Sequence, residues 1–522
     1  GTRETACTPT VTSFRAWKEV SFLDTEIPDA PAVATLVATL TTPPAAGFLA
    51  ALDGVAGSSW LEVRGDLVGD LDPAPLRREF PGKLLYTLRS RAESGAFEGS
   101  AERRKQRLIE AAEQYDLVDL EAARDLSEDV LRAIPPGKRI LSWHGPAASV
   151  DELKAIFEKM AAVDAVLYKL IPTATQAGEE IPPLLLLAAL ERRDVAAFAA
   201  GPAGAWTRLV APHLGAPVVY GALGAVPGAP GQLTIRKLRE DFGLPELRPM
   251  EALFGIAGDP VDHSLSPRLH NAAYRALSIP ALYLPFHAES FGELWLEVVE
   301  NEALQQIGFP VRGLSVTTPH KEAALAVAAA VSPRAERIGA ANTLVWNQGV
   351  WEGESTDPDG VVLPLRERGI ELTARRAAVV GTGGAGRSAA EGLSGAGARV
   401  TLVNRSIERG ERAAALLGLP FLPLEDFDPR QFDLLVNATS LGRGSGQPLP
   451  FPVDGLGQGV VVIDLVYSEE PTPLLRAAAA RGCTVIDGRE VLLDQALGQF
   501  RMMTGREMPL DLARRILGLE AA

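Results

Sequence analysis

The stretch Ala377–Gly386, which reads AAVVGTGGAG, decides the fold of the C-terminal half of this 522-residue chain. Its apolar start predicts a buried strand, and glycines at 381, 383 and 386 follow in the pattern G-x-G-x-x-G, just before a predicted helix. Glycines at these positions let the backbone approach a pyrophosphate held at the positive end of the helix. We therefore expect a dinucleotide-binding α/β domain around this stretch.

The end of the next predicted strand indicates which dinucleotide binds. Residues 398–403 (ARVTLV) form an apolar run that ends in Asn404, Arg405 and Ser406. An NAD enzyme usually has Asp or Glu at this point for the ribose 2′-hydroxyl, whereas a guanidinium suits a 2′-phosphate. Arg405, with Arg409 nearby, predicts NADP as the cofactor, and the alternative is a solvated charge at a strand end.

Length and composition limit the class of protein. A chain of 522 residues exceeds what one core supports, so about three compact units are expected. The net charge of −15, with no basic run among aromatic residues, argues against a nucleic acid partner. No apolar run is long enough to span a membrane, and two cysteines, Cys7 and Cys483, favour a reducing cytoplasm. No histidine has metal-ligand spacing, so no metal is predicted.

Residues 31–245 alternate strand-like apolar runs with amphipathic helical stretches. About eight repeats are typical of a closed (β/α)8 barrel, with an open doubly wound sheet as the alternative. The predicted strands cover residues 32–40, 60–64, 83–89, 117–121, 139–143, 165–170, 195–199 and 217–220. Catalytic groups of such barrels lie at the C-terminal strand ends. The charged or titratable residues predicted there are Glu62, Arg64, Arg89, Glu121, His144 and Lys169.

Lys169 interrupts an otherwise apolar strand, and His144 ends the strand before it. Burial disfavours a charged ammonium, which frees the amine to attack a ketone and form a Schiff base. An imidazole on the adjacent strand is suited to act as general acid and base. Each side chain alone also fits a structural role, but together they are the favoured catalytic pair.

Residues 33–240 resemble the type I 3-dehydroquinate dehydratases. The matching pieces are Glu62-Val63-Arg64, Thr87-Leu88-Arg89-Ser90, Ser142-Trp143-His144, Tyr168-Lys169, Arg208 and Ala229-Pro230-Gly231-Gln232. The resemblance implies that Lys169 forms an imine with the C3 ketone of 3-dehydroquinate. It implies that His144 removes the C2 proton and assists loss of the C1 hydroxyl, and that Glu93 orients His144. The implied substrate-binding residues are Glu62, Arg64, Arg89, Arg208 and Gln232. Tyr220 and Gly228 depart from the Phe and Ser that are common in the family.

Two motifs in the second half place polar residues at predicted helix starts. Ser266 before Pro267 predicts a helix N-cap, where the hydroxyls of Ser264 and Ser266 would hold a carboxylate. Thr318 is predicted to cap the next helix, and Lys321 stands where a capping box would have Glu. A cation at the positive end of a helix is unfavourable, and a local rule broken in this way often marks a functional site.

Asn342 and Asp357 end or follow apolar strands, where each alone also fits a turn. With the motifs above, they make residues 252–520 similar to shikimate dehydrogenases. The resemblance implies that Lys321 and Asp357 form the acid/base pair during hydride transfer from NADPH to the C3 ketone. The implied substrate-binding residues are Ser264, Ser266, Thr317, Asn342, Tyr467 and Gln495. The implied cofactor-binding residues are Gly381, Gly383, Gly384, Gly386, Asn404, Arg405, Ser406, Arg409, Asn437, Thr439 and Gly488. Ser315 and Ser355 replace common Asn residues, and Glu490 places a carboxylate where cofactor affinity could change.

These observations predict an α/β chain with an N-terminal TIM barrel, residues 31–245, fused to a two-domain dehydrogenase. Its substrate domain covers 252–362 and is completed by 489–522, and a Rossmann NADP-binding domain covers 363–488. No role is assigned to residues 1–30. The expected activity is dehydration of 3-dehydroquinate followed by reduction of 3-dehydroshikimate to shikimate, in the cytoplasm. The alternatives are a non-catalytic quinate-pathway sensor, a dehydrogenase with an impaired barrel, or quinate specificity. The oligomeric state is not predicted.

Overall fold

The computed structural model describes residues 33–43, 57–442, 448–468 and 470–519. Their strands form three sheets, one of eight strands and two of six. The N-terminal extension 1–30, with Cys7, lies outside the described residues. Within the described ranges no helix has both the length and the apolar character needed to cross a bilayer. The same ranges contain no group of three or more His, Cys, Asp or Glu side chains arranged to hold a metal ion.

The first sheet is a parallel, nearly closed barrel. Its strands are β1 (Thr35–Leu40), β2 (Trp60–Arg64), β3 (Lys83–Thr87), β4 (Leu117–Glu121), β5 (Arg139–Pro146), β6 (Leu167–Thr173), β7 (Val195–Ala197) and β8 (Val218–Ala222). Neighbours in the chain pair with each other from β1 to β7, and β8 returns to pair with β1. The predicted barrel is confirmed, since an open doubly wound sheet would not bring the last strand to the first.

Helices follow the strands around the barrel. They are α1 (Gly65–Val68), α2 (Pro73–Glu79), α3 (Ala101–Gln114), α4 (Glu128–Ala133), α5 (Val150–Ala161), α6 (Pro182–Leu190), α7 (Thr207–Val210) and α8 (Ile235–Glu240). Helix α5 begins with a capping box, in which Ser149 and Glu152 satisfy each other's backbone amides. Helix α6 carries a run of four leucines, all buried, which covers the strand that contains Lys169.

The second sheet is mixed and forms the substrate domain expected from the sequence. Its strands are β9 (Ala252–Gly258), β10 (Ala281–His287), β11 (Val311–Val316), β12 (Ala330–Val331), β13 (Thr343–Asn347) and β14 (Val350–Glu354). Its helices are α9 (Ser266–Leu277), α10 (Phe291–Leu294), α11 (Ala303–Gln306), α12 (Lys321–Val327), α13 (Pro333–Ile338) and α14 (Asp357–Glu367). Strand β13 runs antiparallel to β11 and β14, while β9, β10 and β11 are parallel.

The third sheet is fully parallel. Its strands are β15 (Arg376–Val380), β16 (Arg399–Asn404), β17 (Phe421–Pro423), β18 (Leu434–Asn437), β19 (Val461–Asp464) and β20 (Thr484–Ile486), and its helices are α15 (Gly384–Gly395), α16 (Ile407–Leu417) and α17 (Pro473–Ala479). The spatial order β17-β16-β15-β18-β19-β20 is the 3-2-1-4-5-6 order of a dinucleotide-binding fold. Helices α18 (Gly488–Thr504) and α19 (Leu510–Leu517) then return to the substrate domain, where Phe500 and Leu517 join its core.

The barrel and the substrate domain pack against each other. The segment 243–249, which joins the two halves, is tied to the start of the barrel, because the Ala34 amide, one residue before β1, donates to the Pro245 carbonyl at 2.8 Å. Across the junction the rings of Trp206 and Phe286 lie edge to face, with centroids 5.3 Å apart. Both rings are almost fully buried, so the two halves share a continuous apolar core.

Candidate active sites

The charged residues predicted at the barrel strand ends are almost all buried. Glu62, Arg64, Arg89, Glu121 and Lys169 are each less than a tenth exposed, and His144 is partly exposed. Burying charges is costly unless each has a partner of opposite charge or a full set of hydrogen bonds. The partner of each residue therefore indicates how the site uses it.

Lys169 is paired with an aspartate that the sequence analysis did not identify. Its Nζ donates to Asp119 Oδ2 at 2.6 Å and lies 4.8 Å from the centroid of the Tyr220 ring. Ser142 donates to the other oxygen of Asp119. Burial raises the pKa of Asp119, but the charges of Lys169 and Arg89 lower it further, so the net pKa lies below the ordinary value. Asp119 is therefore a buried carboxylate that holds the lysine nitrogen in place.

A signal for Asp119 was present in the sequence. The strand LVDLE carries Asp119 and Glu121 two residues apart, so both side chains project to one face of β4. The structure separates their roles. Glu121 accepts hydrogen bonds from the amide and hydroxyl of Ser90, both at 2.7 Å, and pairs with Arg104 at 3.3 Å. Glu121 therefore fixes the loop after β3 and has no direct contact with Lys169.

His144 contacts Glu93, the residue to which the resemblance assigns the orientation of the imidazole. Glu93 Oε2 lies 3.0 Å from His144 Nδ1 and also accepts the His144 backbone amide at 3.0 Å. Burial and the nearby Glu121 raise the pKa of Glu93 to about 8. Burial, with the positive charges of Arg89 and Lys169, lowers the pKa of His144 well below its ordinary value. The imidazole is therefore neutral near pH 7, which is the form that can accept a proton.

The loop after β8 closes onto the ends of β1 and β2. Glu62 accepts hydrogen bonds from Thr39 and Thr87, both at 2.8 Å. Gln232 donates to the Thr39 hydroxyl at 3.0 Å and accepts the Gly228 amide at 2.6 Å. A Cβ added at Gly228 would lie 2.8 Å from the Thr39 methyl group. The glycine that departs from the family pattern therefore allows this close contact.

Among the predicted arginines, Arg64 has a full set of partners, whereas Arg89 and Arg208 have fewer. Arg64 is bound in a bidentate ion pair to Asp66 and donates to the Gly228 carbonyl. By contrast, Arg208 donates to the Ala205 carbonyl at 3.2 Å, and burial lowers its pKa to about 10. The buried Nε of Arg89 has no hydrogen-bond partner among the described residues. Arg89 and Arg208 therefore have donors available for a carboxylate.

The residues predicted for the second reaction surround one cleft of about 1250 Å³. The cleft lies between the second and third sheets. Its lining includes Ser264, Ser266, Thr317, Lys321, Asn342, Asp357, Gly381, Gly383, Gly384, Asn404, Arg405, Ser406, Arg409, Thr439, Tyr467, Gly488 and Gln495. Two predicted residues, Gly386 and Asn437, do not line it. The motifs from the two domains therefore face a single space.

Lys321 and Asp357 form an ion pair in this cleft. Asn342 Nδ2 donates to the other oxygen of Asp357 at 2.7 Å and to the Thr356 hydroxyl at 3.0 Å. The Asn342 side-chain oxygen accepts the hydroxyl of Thr343 at 2.7 Å, which fixes the orientation of the amide. The predicted pair is thus held from the carboxylate side by a buried amide.

Two predicted helix caps are wrong. Helix α12 begins at Lys321 and not after Thr318, because residues 317–320 form a turn in which the His320 amide donates to the Thr317 carbonyl at 2.9 Å. Helix α9 begins at Ser266 itself, whose amide donates to Ser264 Oγ at 3.2 Å. Lys321 still occupies the first turn of its helix, so the unfavourable position noted from the sequence remains.

A buried polar chain behind the cleft was not found from the sequence. Tyr283 donates to Ser315 Oγ at 2.6 Å, and Ser315 donates to Gln499 Oε1 at 2.9 Å. Gln499 then donates to the Asn342 carbonyl at 3.2 Å. The serine that replaces the common Asn at 315 therefore links a tyrosine to the segment that holds Asp357. No local motif predicts contacts over such long sequence separations.

The glycine-rich turn has the geometry that the motif requires. Gly381 has φ of +105°, and a Cβ at Gly386 would lie 1.9 Å from the Gly381 carbonyl. Gly386 therefore serves helix–strand packing, while a Cβ at Gly383 would meet no atom within 4 Å. The start of α15 is thus open to the cleft, as a bound pyrophosphate needs.

Arg405 and Arg409 lie beside this turn without an ion-pair partner among the described residues. Asn437 is fully buried and acts indirectly, since its side-chain oxygen accepts the amide and hydroxyl of Thr439, at 3.0 and 2.7 Å. Asn437 donates to Asp464 at 2.8 Å. It therefore fixes the loop that contributes Thr439 to the cleft.

Glu490 does not point at the cofactor region. It completes a capping box with Asp487 at the start of α18 and pairs with Arg368 at 2.5 Å. Gly488 lies where a Cβ would be 2.8 Å from the carbonyls of Asp464 and Val466. The departure from the family pattern at Glu490 therefore stabilises a helix start and leaves the cleft unobstructed.

Comparison with protein families finds two matches along the chain. Residues 37–246 match the family described as "Type I 3-dehydroquinase". Residues 256–344 match the family described as "Shikimate dehydrogenase substrate binding domain". The boundary between the two matches coincides with the junction between the first and second sheets.

Known relatives fall into two groups. The shikimate dehydrogenase (NADP(+)) of Syntrophobacter fumaroxidans is 39% identical over 269 residues, which cover 50% of this chain and 91% of that protein. The corresponding protein of Halorubrum lacusprofundi is 40% identical, over 51% of this chain and 98% of that protein. The bifunctional 3-dehydroquinate dehydratase/shikimate dehydrogenase of Arabidopsis thaliana is 29% identical over 493 residues, 88% of this chain and 80% of that protein.

Proposed function

We propose which residues carry out two consecutive reactions in this chain, which belongs to the shikimate dehydrogenase family and carries a type I 3-dehydroquinase domain before the dehydrogenase part. The chain dehydrates 3-dehydroquinate and then reduces 3-dehydroshikimate to shikimate with NADPH. The observation that carries the assignment is that each half holds one lysine in an ion pair with a buried aspartate, next to groups suited to that half's substrate.

In the barrel, neutral His144 takes a proton from the Lys169 ammonium, and the free amine attacks the C3 carbonyl of 3-dehydroquinate. The carbonyl oxygen then leaves as water with that proton and a second one from the nitrogen, which gives an iminium ion and neutral His144 again. Asp119, 2.6 Å from Nζ, balances the positive charge of the iminium. Neutral His144 takes the C2 proton and returns it to the C1 hydroxyl, which leaves as water. Glu93 holds the imidazole for both transfers. Water then hydrolyses the imine and restores the free amine.

The unpaired arginines provide the substrate contacts in the barrel. Arg89 and Arg208 bind the carboxylate, since each has buried donors that no carboxylate of the described residues occupies. Glu62, Arg64 and Gln232 bind the ring hydroxyls near the loop after β8. These groups hold the ring so that C3 faces Lys169 and C2 faces His144.

In the cleft, NADPH would, when bound, supply a hydride to the C3 carbon of 3-dehydroshikimate. The Lys321–Asp357 pair supplies the proton that the carbonyl oxygen takes up, and Asn342 keeps Asp357 directed at Lys321. Ser264 and Ser266, at the start of α9, bind the substrate carboxylate, and the remaining contacts come from Thr317, Tyr467 and Gln495. The residues around the glycine turn fit NADP, because the start of α15 is open and Arg405 and Arg409 are free to bind a 2′-phosphate.

We also propose the domain boundaries and the location given by the sequence. The barrel covers 31–245, the substrate domain 252–362 with 489–522, and the NADP domain 363–488. The separation of the strands into three sheets supports these limits. A cytoplasmic location is supported by the presence of only two cysteines in the sequence.

A coupled assay tests the proposed function. Addition of 3-dehydroquinate and NADPH to the pure protein should consume NADPH and form an equal amount of shikimate. A protein that binds 3-dehydroquinate without turnover would instead be a sensor. Reduction of 3-dehydroshikimate without dehydration of 3-dehydroquinate would indicate an impaired barrel. Faster oxidation of quinate than of shikimate would reassign the substrate of the cleft.

A further inference from the structure

One face of helix α15 contacts the segments that carry the proposed proton-transfer residues. A Cβ at Gly384 would lie 3.1 Å from Lys321 Cδ, so the lysine stem packs directly on the first turn of this helix. One turn later, Ser388 Oγ lies 3.3 Å from the hydroxyl of Ser355, two residues before Asp357. Positions 384 and 388 share a face because they are four residues apart. The helix that begins at the glycine turn thus packs against both sides of the Lys321–Asp357 pair.

Arg387 lies on the same face and makes three polar contacts with the substrate domain. It is only 8% exposed. Its Nε donates to the Ile338 carbonyl at 2.8 Å, and its Nη2 donates to the Gly339 carbonyl at 3.2 Å. The same nitrogen lies 2.7 Å from Glu322 Oε1. One planar guanidinium therefore ties three residues of the substrate domain to the cofactor helix.

The three partners of Arg387 belong to two segments, one that contains Lys321 and one that is hydrogen-bonded to it. Glu322 follows the lysine directly in the chain. Gly339 follows the last residue of α13 and lies two residues before Ala341, whose amide donates to the Lys321 carbonyl at 2.9 Å. The carbonyls at the C-terminal end of α13 carry partial negative charge, which suits a buried cation. Arg387 thus fixes the backbone of Lys321 through Glu322, which lies in the same helix as the lysine, and through the segment 338–341.

We propose that Arg387 is a positioning residue that sets the place of Lys321 relative to a cofactor bound at the start of α15. This inference rests on the proposed role of Lys321 in proton transfer. The glycine turn and Arg387 belong to one rigid helix end, so the contact fixes the distance between the hydride donor and the proton donor. Misplacing reacting groups by about 1 Å can cost about 100-fold in rate, which makes such a contact important.

Arg387→Ala in the full chain tests the proposal, with Arg337→Ala as the matched control. Arg337 also joins α13 to α15, through an exposed ion pair with Glu391 at 2.7 Å. Dehydration of 3-dehydroquinate in the same preparation measures the amount of folded enzyme. We expect Arg387→Ala to lower kcat for reduction about 10- to 100-fold, with KM for NADPH changed less than about threefold. The isotope effect with deuterated NADPH should rise, because hydride transfer then limits the rate. Arg337→Ala should change none of these values.

A double-mutant comparison separates positioning from a structural role. In a Lys321→Ala background, Arg387→Ala should have less than about a twofold further effect, since its action passes through the lysine. Equal factors in both backgrounds would overturn the proposal, as would a raised KM for NADPH with unchanged kcat. Arg387→Lys, which keeps the charge but not the planar fork, should recover part of the loss. If Lys321→Ala alone retains normal turnover, the proposed function of the cleft fails first, and the two failures remain distinguishable.

Discussion

The two lysine–aspartate pairs of this chain use the same residue types in different surroundings. Lys169 projects from a central barrel strand, and its side chain and that of Asp119 are 4% and 2% exposed. Lys321 begins a helix at the edge of a large cleft, and its side chain is 14% exposed beside Asp357 at 4%. The first lysine is enclosed by an aromatic ring and a serine-bound carboxylate. The second is held by a buried amide that acts on its partner.

This difference matches the two chemistries. A lysine that forms a covalent bond to carbon needs an enclosed position with a fixed direction of attack and a counter-charge for the iminium. A lysine that only exchanges a proton needs access to a cofactor cleft and an acidic partner. The surroundings of each pair, more than the pair itself, therefore indicate the reaction.

Replacing each lysine gives the largest test of this comparison. Lys169→Ala should reduce dehydration below detection and leave reduction of 3-dehydroshikimate unchanged. Lys321→Ala should lower reduction by about 10²- to 10⁴-fold and leave dehydration unchanged. Borohydride added with 3-dehydroquinate should add the mass of the reduced adduct at Lys169 and nowhere at Lys321. An adduct at Lys321, or none on an active barrel, would break the distinction.

Replacing each aspartate is the next test of the comparison between the two pairs. In the barrel, it should lower the rate less than replacing the lysine does. Asp119→Asn removes one charged hydrogen bond, so we expect dehydration to fall about 10- to 100-fold while borohydride still traps Lys169. Asp357→Asn removes a proton-transfer group, so reduction should fall at least as far as in the barrel variant. Steady-state rates of both reactions in both variants provide the measurement. Loss of trapping in Asp119→Asn would mean that Asp119 is required for imine formation itself.

The barrel was readable from the sequence because its signals are local and repeated. Eight apolar runs with charged ends predicted the strands, and strand order placed His144 on the strand beside that of Lys169, two residues beyond Ser142, which pairs with Lys169. Asp119 was missed because the acidic pair Asp119 and Glu121 in a buried strand gives no local sign of which neighbour each carboxylate faces. Its partner lies 50 residues away and is fixed only by the register of β4, β5 and β6.

The cleft was readable to a similar extent, and the errors have a common cause. The glycine turn follows a local sequence rule and Lys321 breaks one at a helix start, so both positions could be singled out from the sequence. Arg387 was not singled out, because its partners belong to the other domain. The partners of Glu490 were not predicted for a related reason. Its carboxylate finds Asp487 and Arg368, so it stabilises a helix start away from the cleft.

The preference for NADPH over NADH tests the interpretation of the cleft, and the expected change in KM is moderate. Arg405→Ala should raise KM for NADPH about 10-fold or more, because a charged contact to the 2′-phosphate is lost. KM for NADH should stay unchanged, since NADH lacks that phosphate. Arg412→Ala is the matched control, as Arg412 lines the same cleft but is already paired with Glu408 at 2.8 Å. Equal effects on NADPH and NADH would remove Arg405 from phosphate recognition.

The smallest predicted effect concerns Glu180, a buried residue whose carboxyl group has no lysine partner among the described residues, unlike that of Asp119. Glu180 is 1% exposed, and its Oε2 has no hydrogen-bond partner among the described residues. Burial raises the pKa of Glu180 to about 7, whereas the pKa of Asp119, beside Lys169, lies below its ordinary value. A carboxyl with a raised pKa stabilises the fold fully below its unfolded pKa, and this stability is lost as the pH rises through 7.

The Glu180→Gln variant should therefore lose less stability on going from about pH 5.5 to about pH 8.5 than the unmodified chain does. The expected difference in unfolding free energy is about 2 kcal/mol, because the pKa of Glu180 is raised from its ordinary value of 4.5 to about 7, and only part of that interval lies above pH 5.5. Urea unfolding followed by tryptophan fluorescence measures it, and Glu158→Gln, on the exposed side of α5, is the control. Parallel pH profiles for all three proteins would mean that Glu180 ionises freely. The lack of a neighbouring cation would then not explain why the pKa of Glu180 differs from that of Asp119.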